Sequence, residues 1–447
     1  MEFLPDFGNL LYTVVAFVLA LSIIVTVHEY GHYIIGRLSG IKAEAFSIGF
    51  GPTLVSRRDR HGTVWKISAF PLGGYVKFLG DANAASAGAD SGAMAGMSAQ
   101  ERRHTMHGAP LWARAATVAA GPMFNFILSI AVFGLAILWQ GTPVTPPQVA
   151  SLVALPQGSG DLRPGDEVLA IEGVSLDDYS GLRDVETPGQ PFLDYRIRRD
   201  GTDMDVQGPQ IAPPRAEQVV PQSAGYQAGI KAGDVITTIN GTPIWRFEDI
   251  VTAVTAGKGT PLALGIWRPD AADATAGTEI SLTLTPRIID IPKADGSFES
   301  DYKIGLLAGM GFTPATESPG LGTALLGGAR QTWATITASV SAVEHMVLGK
   351  ISSCNLRGAI GIAEGSAAAA KSGFADFIWF IALLSTAVGF LNLMPIPVLD
   401  GGHLMFHLWE GITGKAPSDR VMSMMVSVGL ALVLGLMVFG LWNDLSC

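Results

Sequence analysis

Four long apolar stretches stand out in the pattern of polar and apolar positions along the chain. They occupy residues 10–27, 115–139, 377–398 and 422–442, and none of them contains a charged residue. A helix of about 20 apolar residues crosses the ~30 Å hydrocarbon core of a bilayer. The pattern therefore predicts four transmembrane helices, and it leaves a mostly polar insert between the second and the third.

Two short runs with strand character flank a glycine pair after the first apolar stretch. The runs are "VWKIS" and "YVKFL", and Gly73 and Gly74 lie between them. This arrangement predicts a tight β-hairpin or a loop close to the membrane at about 63–80. The following residues are rich in Ala, Gly and Ser, which predicts a flexible loop over 81–110.

An internal repeat marks the polar insert. "RPGDEVLAIEG" and "KAGDVITTING" match at an offset of 68 residues, with Gly165 and Asp166 aligned on Gly233 and Asp234. A Gly-Asp turn followed by a strand, repeated at this spacing, predicts two copies of a small β-rich module. Both copies resemble the PDZ family, the second more closely than the first. Another kind of β-rich domain with Gly-Asp turns stays open as the alternative.

The predicted order of parts is that of a polytopic α-helical membrane protein with a membrane-associated β-hairpin and two β-rich PDZ-like domains inserted between helices 2 and 3. The stretch 324–350 has helical spacing, and a helix along the membrane surface or on the insert is favoured over a fifth span. The predicted parts are residues 1–140, with helix 1 at about 10–37 and helix 2 at about 113–140; the modules 145–212 and 213–290; an outer-side connecting region with an amphipathic helix, 291–373; and 374–447, with helices 3 and 4.

Composition and charge support a membrane protein and suggest its orientation. Only 15% of the residues are charged, and the mean hydropathy is +0.35, which is high for a soluble protein. Ten Lys and Arg residues lie between Arg37 and Arg114. The positive-inside rule then predicts that this loop is cytoplasmic and that both termini and the insert are outside. The net charge of −10 argues against a nucleic-acid partner.

Two further features concern the N-terminus and the cysteines. The first ten residues carry Glu2 and Asp6 and no Lys or Arg, so we expect the first apolar stretch to be retained rather than cleaved as a signal peptide. Cys354 and Cys447 are the two cysteines. Free thiols are the favoured interpretation, and one bridge between them stays open.

Three ionisable residues lie at the end of the first apolar stretch, within "TVHEYGHYI". On a helix, His28 and His32 project to one face, and Glu29 projects beside them. This HExxH pattern is typical of two zinc ligands and a general base. A snorkelling helix end or a pair of buried, hydrogen-bonded histidines is the alternative. Ionisable groups inside a bilayer are costly, which favours the metal site.

A third ligand candidate lies in "NLMPIPVLDGGH" near the end of the third apolar stretch. Pro395 and Pro397 prevent a regular helix from continuing to Asp400. Irregular backbone at membrane depth is tolerated where it is buried in protein or lines a wet cavity. We therefore expect Asp400 on irregular backbone, facing the helix that carries HExxH.

These motifs and their order resemble the site-2 protease family of intramembrane zinc metalloproteases, and most closely a bacterial branch of it. The resemblance covers nearly the whole chain through HEYGH on helix 1, NxxPxPxLDGG on helix 3 and the PDZ-like insert. It implies that His28, His32 and Asp400 bind one zinc ion, Zn2+. It also implies that Glu29 is the catalytic base.

The resemblance suggests roles for five more residues. Asn392 would hold substrate or stabilise the reacting carbonyl, with capping of the broken helix as the alternative. Asn125, in "AAGPMFNF", would line the active-site cavity. Gly73, Gly74 and Tyr75, in "PLGGYVK", would belong to a hairpin that pairs with an unwound substrate strand.

The same resemblance implies cleavage within transmembrane segments of single-pass proteins. The expected substrate is an anti-sigma factor that an outer-side protease has cut first, in an envelope-stress cascade, with remnant signal peptides as another class. The expected location is the bacterial inner membrane, with the active site toward the cytoplasm. A metal-dependent transporter would call for repeat symmetry between its membrane halves. A non-catalytic PDZ scaffold would not need all four site residues.

Overall fold

The computed structural model describes residues 7–82, 90–220, 223–270, 273, 275–292, 298–352, 354 and 356–446. These residues form two compact units. One, the membrane unit, comprises 1–137, 321–344 and 356–447, and the other, the insert unit, comprises 138–320 and 345–355. Part of the loop expected over 81–110 lies outside the described residues.

The first half of the membrane unit contains two long helices with a small sheet between them. Its elements are α1 (Phe7–Leu38), β1 (Ala43–Arg58), β2 (Val64–Phe78), the four-residue helices α2 (Ser91–Met94) and α3 (Ala99–Arg102), and α4 (Leu111–Gln140).

The sheet differs from the predicted hairpin. "VWKIS" and "YVKFL" do not pair with each other; the first run and all but the last residue of the second lie in the single strand β2 and pair with β1. Phe46 of β1 is the centre of this arrangement, because it pairs with Val76 on one side and with Trp65 on the other. The prediction missed β1, whose Gly and Pro residues hide its strand character.

The insert unit is formed mainly by short antiparallel strands. Its elements are β3 (Thr142–Pro143), β4 (Val149–Leu152), β5 (Glu167–Ile171), β6 (Val174–Ser175), β7 (Phe192–Arg199), β8 (Thr202–Pro209), β9 (Ala216–Val219), α5 (Ala224–Gln227), β10 (Val235–Ile239), β11 (Thr242–Pro243), α6 (Phe247–Gly257), β12 (Leu262–Pro269), β13 (Gly277–Leu284), β14 (Arg287–Pro292), β15 (Phe298–Lys303), β16 (Leu306–Ala308), β17 (Phe312–Pro314) and β18 (Thr316–Glu317).

The internal repeat corresponds to two sheets with the same strand order. One sheet has the order β6-β5-β7-β8 and the other β11-β10-β12-β13. Each sheet packs on its own apolar cluster, with Tyr195 and Ile197 buried in the first and Ile236 and Leu264 in the second. The offset of 68 residues is therefore an architectural repeat as well as a sequence repeat.

A returning segment joins both modules. β16 pairs with β9 of the second module, whereas β17 pairs with β4 of the first and β18 pairs with β3. Leu306 lies in the apolar cluster of the second module, and Phe312 lies in that of the first. These residues fall in the region 291–373 that the sequence suggested was only a connection, because pairing between distant short strands leaves little local signal.

The second half of the membrane unit is helical. Its elements are α7 (Leu321–Val347), α8 (Ala359–Ser372), α9 (Phe374–Leu393), α10 (Asp400–Thr413) and α11 (Asp419–Ser446). α7 packs against α4, since a Cβ atom on Gly134 would lie 3.3 Å from the carbonyl oxygen of Ala324. The sequence had left open whether this helix lies on the membrane surface or on the insert.

Four helices among the described residues are long and apolar enough to cross a membrane. They are Leu10–Leu38, Leu111–Gln140, Phe374–Leu393 and Arg420–Ser446. This result confirms four candidate membrane helices at the positions that the sequence predicted. α1 also packs against α8 and α9, with Ala20 and Ile24 of α1 buried beside residues of both helices.

The cysteine prediction was wrong in its favoured form. Cys354 is disulfide-bonded, and there is no free cysteine among the described residues. Cys447 lies outside the described residues. A stable disulfide is typical of an oxidising compartment, which free thiols would not have required.

Candidate metal centre

The first membrane helix carries three of the four predicted catalytic residues. His28, Glu29 and His32 lie in the second half of α1, about one helical turn from end to end. The helical spacing puts both imidazoles on one face, as the sequence predicts. The two rings are perpendicular, with their centroids 4.7 Å apart.

The fourth residue, Asp400, is delivered by a break between two helices. α9 ends at Leu393, and Met394, which precedes Pro395, has an extended backbone. Asp400 is then the first residue of α10. It therefore lies at a helix N-terminus, and the expectation of irregular backbone at this residue was wrong. The irregular segment is confined to the six residues from Met394 to Leu399.

Two glycines allow this turn to fold back on itself. A Cβ atom on Gly401 would clash with the carbonyl oxygens of Leu393 and Met394. A Cβ atom on Gly402 would clash with the carbonyl oxygen of Ile396. The "DGG" of the motif is thus explained by close backbone approach, which holds the Asp400 carboxylate in place.

The donor atoms of three side chains lie at separations close to those of a zinc site. Nε2 of His28 is 3.1 Å from Nε2 of His32 and 3.1 Å from Oδ2 of Asp400. Nε2 of His32 is 3.5 Å from Oδ1 of Asp400. Zinc–ligand bonds of about 2.0–2.1 Å in a tetrahedron give donor separations of about 3.3 Å. The residues present therefore fit a zinc ion with one position left for water or substrate.

The outer nitrogens of both imidazoles contact α4. Nδ1 of His32 lies 2.8 Å from the carbonyl oxygen of Thr117, and Nδ1 of His28 lies 3.2 Å from the Asn125 amide nitrogen. Gly121 lies between these two residues, and a Cβ atom there would clash with His32. Close approach of α4 thus packs the two ligand candidates from behind.

The Glu29 carboxylate is held by the small sheet. Its Oε2 accepts a hydrogen bond of 3.1 Å from the backbone N–H of Val76 in β2. Gly74 lies beside it, and a Cβ atom there would be 3.5 Å from Cγ of Glu29 and 2.7 Å from the carbonyl oxygen of Ser47. The glycine pair therefore lets β2 pass close to the helix that carries HExxH.

These groups border a cavity of about 570 Å³. Among the residues predicted from sequence, Gly74, Tyr75 and Asn392 line it together with the four central residues. Asn125 does not line it; the side chain is fully buried, behind His28. Gly73 is not on the cavity wall either; its φ is 151°, and a Cβ atom there would clash with the ring of Phe50.

The sequence analysis missed other polar residues on the cavity wall. The missed residues are His107, Arg114, His403, His407 and Glu410. The spacing of His403 and His407 after Asp400, three and seven residues, would have placed all three on one face of a helix had α10 been predicted. Arg114 binds Glu410 through two hydrogen bonds, of 3.0 and 2.6 Å. Polar groups on the cavity wall therefore extend well beyond the four central residues.

The predicted Gly-Asp turns lie in the insert unit and have structural roles there. Asp166 accepts hydrogen bonds of 2.7 and 2.6 Å from Arg199, and Asp234 accepts two of 2.7 Å from Arg268. Both carboxylates also cap a backbone N–H three residues earlier. The glycines that precede them, Gly165 and Gly233, have φ near 94° and 93°. These residues shape the turn and anchor a neighbouring strand.

Comparison with known proteins agrees with this geometry. The model of peptidase family M50 matches residues 16–436. A protein of Agrobacterium fabrum, provisionally named as a zinc metalloprotease, is 35% identical over 97% of this chain and 95% of its own length. The regulator of sigma E protease of Salmonella typhimurium is 34% identical over 98% of this chain and 99% of its own length.

A third relative extends the same result. The protease RseP of Yersinia pestis is 33% identical over 98% of this chain and 99% of its own length. The family match and these relatives each span nearly the whole chain, including both motifs that meet at the candidate metal centre. The chain therefore belongs to peptidase family M50, the site-2 type of zinc metalloprotease.

Proposed function

We propose that this protein is an intramembrane zinc peptidase that cleaves transmembrane segments of single-pass proteins in the bacterial inner membrane. The observation that carries the proposal is the convergence of His28, His32 and Asp400 on one point. Glu29 lies beside that point, within the same cavity. Four helices able to cross a membrane, one of which carries HExxH, support an active site within the bilayer.

His28, His32 and Asp400 would hold the zinc ion through two imidazole nitrogens and one carboxylate. A bound zinc ion supplies a Lewis acid for the scissile carbonyl and lowers the pKa of a coordinated water to about 7. Glu29 takes the proton from the attacking water and later delivers it to the leaving amine nitrogen. The Val76 N–H keeps the Glu29 carboxylate aimed while it does so.

The cavity wall suggests how substrate is held. Peptide groups of a transmembrane helix are already hydrogen-bonded, so a substrate must unwind before it can be attacked. Tyr75 lies on the wall in β2, where an extended substrate segment can pair with the strand. Asn392, in the last turn of α9, is the first residue of the NxxPxPxLDGG motif, and its amide can hydrogen-bond to the substrate backbone.

The proposed substrate is an anti-sigma factor that another protease has already cut on its outer side. The name of the Salmonella typhimurium relative, regulator of sigma E protease, supports this choice, and remnant signal peptides are a second class. The two β-rich modules act as PDZ-like domains outside the membrane and exclude substrates that have not been cut. The excess of basic residues between Arg37 and Arg114 supports a cytoplasmic position for that loop and outer positions for the termini.

The deciding experiment changes Glu29 and measures two properties. Glu29→Gln is expected to abolish cleavage of a single-pass reporter in membranes and to keep one zinc ion per chain. Persistent cleavage by this variant would contradict the proposal. The matched control is Glu248→Gln, since that side chain is 72% exposed in the insert unit, and its cleavage rate should equal that of the wild type.

Two further arms of this experiment address the substrate and the orientation. A reporter with its full outer domain should be cleaved much more slowly than one truncated close to the membrane. Equal rates would refute the size filter. Reporter enzymes fused after the C-terminus and within the loop that contains Lys415 should be active on opposite sides of the membrane.

A further inference from the structure

The imidazoles of the candidate metal centre can bind zinc in only one of their two neutral forms. Each must present a lone pair on Nε2, so the proton must be on Nδ1. A partner that accepts a hydrogen bond from Nδ1 fixes this form and orients the ring. We propose that Asn125 is this partner for His28, a positioning role that rests on the ligand set proposed above.

His32 provides the internal comparison. Its Nδ1 lies 2.8 Å from the carbonyl oxygen of Thr117, and a carbonyl can only accept. Nδ1 of His32 is therefore the protonated nitrogen, and Nε2 carries the lone pair that faces Asp400. The backbone of α4 alone fixes the form of this ring.

His28 meets the same helix through a side chain. The Asn125 amide nitrogen is 3.2 Å from Nδ1 of His28, while the amide oxygen is buried and has no hydrogen-bond partner among the described residues. The two ends of an amide have the same shape, and their assignment follows from the hydrogen bonds that they can make. Turning the amide by 180° brings the oxygen to the Nδ1–H of His28 and gives the buried acceptor a partner.

The inward side of the centre is consistent with this assignment. Oδ2 of Asp400 is 3.1 Å from Nε2 of His28, and it also lacks a hydrogen-bond partner among the described residues. With the proton of each ring on Nδ1, the inward atoms present lone pairs to one another, an arrangement that a cation between them stabilises.

The surroundings of Asn125 fix its position rather than expose it to substrate. Its side chain has no exposed surface. Its backbone carbonyl oxygen accepts hydrogen bonds of 3.0 Å from the hydroxyls of both Ser129 and Ser385. The second of these ties α4 to α9 at this point. Asn125 is therefore positioned to orient His28 from behind, and it does not reach a substrate in the cavity.

The test measures zinc affinity of the purified full-length protein by competition with a chelator. Asn125→Leu keeps the size of the side chain and removes the acceptor, so zinc binding should weaken roughly 10- to 100-fold. Asn125→Asp keeps the acceptor, so affinity should stay within about threefold of the wild type or rise. Unchanged affinity in a folded Asn125→Leu variant would overturn the inference.

Asn125→Asp also decides the question if the leucine variant does not fold. An aspartate can only accept, so strong loss of zinc in this variant would mean that the Asn125 nitrogen donates to His28, contrary to the inference. Asn392→Leu is the matched control, because this asparagine lies on the cavity wall and should affect turnover without affecting zinc affinity.

His28→Ala separates this inference from the proposed function. If His28→Ala binds zinc as tightly as the wild type, the ligand assignment itself fails. If His28→Ala loses zinc while Asn125→Leu retains it, only the role of Asn125 fails. Loss in both variants, with retention in Asn125→Asp, is the result expected.

Discussion

The carboxylate of Glu29 accepts a hydrogen bond from the backbone N–H of Val76, and so joins the first membrane helix to the edge of the small sheet. Phe78, two residues further along β2, donates its N–H to Asp81 in the same way, at 3.1 Å. Alternate residues of a strand point their N–H groups to the same side. Two backbone N–H groups on the outer side of this strand thus donate to carboxylates. One of these carboxylates, that of Glu29, is the proposed catalytic base.

Replacing Val76 by proline should impair turnover without impairing zinc binding. Proline removes the N–H that holds Glu29 and is tolerated at the edge of a sheet. We expect turnover to fall roughly 10- to 100-fold, because a small displacement of a catalytic group has an effect of that size. Val76→Ala keeps the N–H and should cleave the reporter at close to the wild-type rate. Equal rates for the proline and alanine variants would argue against this hydrogen bond.

Adding one methyl group to Gly121 should remove zinc. The new Cβ atom would clash with the imidazole of His32 and displace a proposed ligand. Gly121→Ala should therefore weaken zinc binding at least about 100-fold, measured by chelator competition. Gly134→Ala is the control on the same helix, since its Cβ atom would meet Ala324 at 3.3 Å and not the metal centre. A Gly121→Ala protein with full zinc affinity would contradict the geometry described.

Asp444, near the end of α11, should stabilise the start of α8. Its carboxylate accepts three backbone hydrogen bonds, of 2.9, 3.0 and 3.1 Å, from Gly358, Ile360 and Gly361. Unpaired N–H groups and the helix dipole make a carboxylate favourable there. Asp444→Ala should lower the free energy of unfolding by about 1–2 kcal/mol, measured in detergent with a chemical denaturant. Asp444→Asn keeps one acceptor oxygen and should lose about half as much.

Stability of the membrane unit should decrease between about pH 6.5 and pH 4. Burial, and then the nearby Arg114 guanidinium, lower the pKa of His407 in α10 from 6.5 to about 4. In this interval the unfolded chain binds a proton at His407 and the folded protein does not, so acidification favours unfolding. His407→Gln should flatten this part of the profile of unfolding free energy against pH. An identical slope in the two proteins would exclude His407 as the cause.

The sequence predicted the parts of the centre that depend on local spacing. HExxH on a helix places His28 and His32 on one face whatever surrounds them, and Pro395 stops a helix by covalent geometry. The contact between Asp400 and His28 joins residues 372 positions apart. Sequence reasoning reached it through two motifs together, and the role of these residues as ligands stays a prediction.

Other features depended on packing between distant segments, and sequence patterns did not predict them. β1 was missed because "AEAFSIGFGPTLVSRR" contains Gly and Pro, and the pairing of Phe46 with two parts of β2 compensates for them. Asn125 was recognised as important but was assigned to the cavity wall. Its position behind His28 follows from the close approach of α4 to α1, which side-chain volumes decide.

The returning segment over residues 306–317 determines when the insert can fold during synthesis. Phe312 belongs to the apolar cluster of the first module, although about 100 residues separate it from the last strand of that module's sheet. The first module therefore cannot complete its core when its own sheet leaves the ribosome, and it must wait until the second module has also been translated. The cores of both modules are then completed by residues that lie close together along the chain, just before the chain re-enters the membrane unit.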